Sequence, residues 1–122
     1  MISQNGMAAT ALLLADFDYV GIGESATGES NAHDDLQTPT LRKQGTPTRV
    51  QTTYANDTYQ CVVTFSSGDG LSGTDTIQEA GAFDAASSGN MLFRKTFTGK
   101  SCDWDAGDTL EITAKCQVKQ GA

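Results

Sequence analysis

Apolar and polar residues alternate strictly through "LEITAKCQV": Leu110, Ile112, Ala114, Cys116 and Val118 share one phase, and Glu111, Thr113, Lys115 and Gln117 the other. A sustained period of two puts one face of a strand in a core and the other in water. The same pattern marks "TYQCVVTF", where Tyr59, Cys61, Val63 and Phe65 share a phase. Three further strands are predicted at Phe17–Ile22, Thr48–Tyr54 and Thr76–Phe83, and another at Met91–Thr98, where Met91, Phe93 and Phe97 share a phase. The turn signals "ANDT", "SSGDGLSGTD", "DAASSGN" and "GKSCDWDAGD" separate them.

The start of the chain has a different period. Residues 3–15 predict a short helix rich in Ala and Leu, capped by Ser3 or Asn5, with Met7, Ala11 and Leu14 on one face and Leu12 and Leu13 beside it. A lone helix of this length is marginal in water, so that face must be covered. Its own sandwich end is the favoured cover, because "ADFDY" runs from helix to strand with little slack; a partner subunit is the other. The apolar stretch Met7–Ala15 lacks a basic flank and is too short to span a bilayer, so the chain reads as made in the cytoplasm and not exported by a cleaved signal.

Residues 23–46 form a long polar excursion, with a turn of helix possible at Asn31–Leu36. Short strands between regular turn signals, with no internal repeat, predict a mainly β fold: one domain over 1–122, an antiparallel β-sandwich of six to seven strands with a short N-terminal helix. Within it, Glu79–Phe97 reads as a hairpin or inter-sheet connection. Phe83, Met91 and Phe97 supply its buried surface, and Ala82, Ala85 and Ala86 are small where another strand approaches.

Charge narrows the function classes. The net charge is −7, and no basic patch stands out, so neither nucleic acid nor an anionic membrane is an expected partner. Three of the eight cations, Arg42, Lys43 and Arg49, lie in "TLRKQGTPTR", with Lys95 a candidate neighbour in space. This cluster, and the excursion carrying it, are candidates for meeting an acidic surface. Three cysteines leave at least one thiol unpaired; Cys61 and Cys116 sit on core phases, where the two could still face each other, but Cys61, Cys102 and Cys116 are all expected to be free.

Candidate chemistry is sparse. His33-Asp34-Asp35 puts the single histidine beside two carboxylates, but adjacent loop residues rarely converge on one ion. The Asp/Gly turns Ser66–Asp75 and Asp103–Asp108 have the residue types for calcium, without the EF-hand spacing, and Asp is also a routine turn former. Asp16, Asp18 and Glu79 form no acid/base pair recognisable from spacing, and "GIGES" at 21–25 is a glycine pair short of a dinucleotide fingerprint. Trp104 with Tyr19, Tyr54 and Tyr59 would make a glycan platform, but Trp104 reads first as a cap on the sandwich end. No residue is assigned a catalytic, cofactor-binding or metal-binding role, and the chain is not expected to be an enzyme.

The order of motifs adds to this reading. A "NGMAATALLL" helix, "FDYVGIG", a polar excursion, "TYQCVVTF", "IQEAGAFDAASSGNMLFRKTF" and a closing "GDTLEITAKCQV" together resemble small virion structural proteins of tailed bacteriophages, of the head-decoration or tail-fibre-like kind. The resemblance covers most of the chain and is most specific at "EAGAFDAASSGNMLFRKTF" and "GDTLEITAKCQV". It implies a capsid decoration (cement) protein, located in the virion and assembled in the host cytoplasm. Its partners would be the major capsid protein or other virion proteins, and further copies of itself. A tail, collar or fibre component, or a glycan-binding adsorption module, are the alternatives.

Overall fold

The computed structural model describes residues 1–120 and is mainly β, with two antiparallel sheets and one short helix. The helix α1 spans Gln4–Leu13 and continues as a turn of 3₁₀ helix over Leu14–Asp16. Ser3 caps it, its hydroxyl accepting from Gly6 N–H, because the first turn of any helix leaves N–H groups without intrahelical partners. The strands are β1 (Tyr19–Gly23), β2 (Pro39–Gln44), β3 (Thr48–Val50), β4 (Thr58–Phe65), β5 (Thr74–Phe83), β6 (Met91–Asp103) and β7 (Leu110–Gln117).

One sheet has the order β2-β1-β5-β6 and the other β3-β4-β7. Their facing sides make the core: Val20 and Ile22 of β1, Ile77 and Ala80 of β5, and Tyr59, Cys61, Val63 and Phe65 of β4, with Ala114 of β7. Each large apolar side chain fully covered there is worth roughly 1.5–3 kcal/mol. The period-two reading of β4 holds residue by residue. Trp104, fully buried, closes one end, its Nε1 donating to Asp75 at 2.8 Å. The helix lies against β3 and β4 of its own chain by Met7 and Ala11, both 1% exposed.

Several expectations are corrected. The excursion contains a strand, β2, and Asn31–Leu36 makes a turn without helix. The strand expected over Thr48–Tyr54 stops at Val50, because the next residues wrap around Asp57. The strand expected to end at Thr98 runs on to Asp103, taking in half of the anticipated turn. Glu79–Phe97 is the β5–β6 hairpin, and Phe83 is buried as expected, on the far side of the sheet from the core; Met91 and Phe97, however, are only half-buried, and Ala86 is exposed in the turn.

Candidate functional site

The outer face of the four-stranded sheet carries a second, polar layer. Register pairs Gly21 with Gly81, Gly23 with Glu79, and Gly81 with Arg94, so these positions share that face. The Glu79 carboxylate is fully buried and accepts four hydrogen bonds: from Arg94 Nε at 2.8 Å, Gln37 N–H at 2.8 Å, Thr38 N–H at 2.8 Å and Ser25 N–H at 3.0 Å. Arg94 in turn donates to the carbonyls of Thr27 at 2.8 Å and Ser25 at 3.4 Å. The pair therefore grips the excursion at both ends. Leu36, 4% exposed, is the apolar plug of this layer.

Burial pushes the Glu79 carboxyl up, but the Arg94 guanidinium and the three backbone N–H groups outweigh it and hold the group below the usual carboxylate range. The glycines of "GIG" explain themselves here. A Cβ on Gly21 would come within 2.8 Å of the Phe83 ring, and one on Gly23 within 2.5 Å of Glu79 Oε2 and the Thr38 carbonyl. They make room for the second layer, which is a packing role unrelated to phosphate binding. Arg42 lies 3.6 Å over the Phe83 ring and donates to the carbonyls of Ala85 and Ser88.

A second buried carboxylate, Asp57, does the same work for the β3–β4 connection. It accepts from the N–H groups of Thr52, Thr53 and Tyr54 and from the Thr58 hydroxyl. Burial raises its pKa, and these donors more than reverse that, holding it well below the ordinary value. From the sequence, Glu79 is a carboxylate without an acid/base partner and Asp57 part of a turn signal; neither is marked as buried. The signal for Asp57 is the Thr-Thr-Tyr-Ala-Asn-Asp-Thr run itself; for Glu79 it is one carboxylate among small residues opposite one arginine.

The residues singled out from the sequence are scattered. His33 is half-buried with Nδ1 unpartnered, Asp34 is exposed, and Asp35 binds Arg42 at 3.3 Å. The Asp/Gly turns use their carboxylates on the chain: Asp69 on Ser66 N–H and Lys43, Asp105 on Gly73 N–H, Asp103 on Ala106 N–H, and Asp108 on Asp103 N–H. No group of three or more His, Cys, Asp or Glu that could hold a metal occurs among the described residues. Trp104 and Tyr59 are buried, which removes the glycan platform. Arg42, Lys43, Arg49 and Lys95 do not cluster: they engage Asp35, Asp69, the Ala8 carbonyl and Glu29 respectively. The excursion, gripped by Glu79 and Arg94, is not a free arm for reaching a neighbour. The three cysteines are free, and burial pushes each thiol up.

The apolar surface left open lies elsewhere. β6 and β7 end their sheets on the same side of the sandwich and are joined only through the Trp104 turn. Between them a groove of about 470 Å³ opens over Phe93, Phe97, Ile112, Ala80 and Ala114, with Lys95, Lys115 and Glu111 along its lips. The groove leaves the core phase of β7 only partly covered at Ile112, which is half-buried despite the strict alternation. The second open feature is the end of α1, where Leu12 is 53% and Leu13 74% exposed.

No protein-family model matches the chain, and no curated protein matches it.

Proposed function

We propose that the chain is a structural protein of a tailed-phage virion, a decoration (cement) protein that binds the outside of the head and stabilises the shell by bridging its subunits. The observation that carries this reading is the division of the surface. The buried charges Glu79, Arg94 and Asp57 are covered by the loops they lock, while apolar area is left open at two places, Leu12–Leu13 and the β6/β7 groove. A compact acidic body with rigid loops and two apolar contacts suits a protein that works by burying surface on neighbours at symmetric positions. The virion assignment itself rests on the motif order in the sequence.

The test is a copy count. Quantitative mass spectrometry of particles purified from the source of this sequence should give copies on the order of hundreds, as the repeated sites of a shell require. A handful of copies would move the protein to the tail or collar, and none would remove it from the virion.

A further inference from the structure

The two apolar features lie on opposite edges of the molecule. In the sheet β3-β4-β7, the C-terminal end of α1 packs near Pro47, Thr48 and Arg49 at the β3 edge, whereas the groove opens at the β7 edge. A chain cannot bring its own Leu13 to its own groove. Copies arranged head to tail can, because one presents the leucine pair where the next presents the groove.

Charge favours this pairing. In a chain with 15 acidic and 8 basic residues, two of the cations, Lys95 and Lys115, flank the groove. Lys95 is 75% exposed and holds Glu29 only loosely, at 3.6 Å. Glu111, on the β7 side, is the lone anion of the lining. The leucine end of the helix has the opposite sign. Asp16 is exposed one turn beyond Leu12–Leu13, no basic residue occupies the last helical turn, and the helix C-terminus adds its own partial negative charge. Arg49, which lines a pocket together with Leu12, is turned to the Ala8 carbonyl at 3.2 Å.

We infer that the Leu12–Leu13 end of α1 on one copy docks into the β6/β7 groove of a second copy, with Asp16 facing Lys95 and Lys115. The contact joins two different surfaces, so it leaves a free helix end and a free groove at the extremities of any open assembly. The inference concerns the purified protein and does not need the particle; its failure would leave a shell-binding role untouched.

Complementation tests it. Sedimentation velocity on the full chain, from about 1 µM to about 1 mM, should show concentration-dependent association. Leu13→Asp removes the helix end, and the pair Lys95→Glu with Lys115→Glu reverses the groove lips. All three side chains are exposed, so melting temperatures should stay at the wild-type value, and Leu12→Asp serves as a second helix-end variant. Each variant alone should need at least about ten-fold more protein to associate. Mixed in equal amounts, they should form a one-to-one complex, the intact helix end of the groove variant seated in the intact groove of the helix variant, with no longer species. A wild type that stays monomeric throughout, variants that associate like the wild type, or a mixture without the one-to-one complex would each overturn the proposal.

Discussion

Arg94 donates its Nε to Glu79 at 2.8 Å from the neighbouring strand, and the two side chains are 2% and 0% exposed. A buried ion pair of this kind is costly to desolvate and costlier to break. Glu79→Gln leaves a buried guanidinium without its counter-charge and weakens the hold on residues 25–38. It should lower stability by about 3–5 kcal/mol. Limited digestion with a Glu-specific protease should then cut at Glu24 or Glu29 well before the rest of the chain. Replacing both partners by leucine should not restore stability, because the N–H groups of Ser25, Gln37 and Thr38 would lose their acceptor. A Glu79→Gln protein that melts and resists protease like the wild type would contradict this role.

Acid should unfold the protein by the same chemistry. Glu79 and Asp57 are both held below their ordinary values of 4.5 and 3.8. A depressed carboxylate binds its proton more readily in the unfolded chain. Its stabilising contribution is therefore complete above the unfolded pKa and is lost as pH falls through the folded one. Urea midpoints should be level above about pH 5.5 and drop steadily toward about pH 3, with a shallower drop in Glu79→Gln. A midpoint that holds or rises on acidification would contradict the sign.

The strands were legible where one face is core and the other water, as in β4, whose alternation was read residue by residue. The alternation of β7 marks a strand but does not tell a closed core from an open groove, because both present apolar residues at every second position. The polar layer over the other face was not legible. Its parts lie far apart in sequence: Gly21 and Gly23, Leu36, Glu79, Phe83 and Arg94 meet only once β1, β5 and β6 are in register. A lone Glu in an Ala/Gly run carries no local mark of burial, and "GIG" looks like a loop until the residues that pack against it are in place. The basic cluster misled for a related reason: neighbours along an edge strand point to opposite faces, so Arg42 meets Phe83 while Lys43 meets Asp69.

The helix belongs to the fold of its own chain. Met7 and Ala11 are buried against β3 and β4, so Met7→Asp would bury a charge. It should cost several kcal/mol, about as much as other uncompensated buried charges, and lower the thermal midpoint of the isolated protein. Leu13→Asp should leave that midpoint unchanged. Equal melting of the two variants would show that the helix is not anchored through this face.

The thiols should be slow. Burial raises the pKa of Cys61, Cys102 and Cys116, which lowers the thiolate fraction, and Cys61 and Cys102 are also shielded from reagent. Ellman titration should find little reaction in the native state, with half-buried Cys116 the first to react, and three thiols once the chain is unfolded. Rapid native reaction, or fewer than three thiols after unfolding without reductant, would contradict the buried free-thiol arrangement.

An averaged density map of intact virions tests the proposed role, a bound structural unit on a particle, most directly. The sandwich should fit density on the outside of the head, repeated at symmetric positions, with apolar contacts through Leu12–Leu13 or the groove between β6 and β7. Heads fully accounted for by other chains, or density for this fold confined to the interior or absent from the particle, would contradict the account.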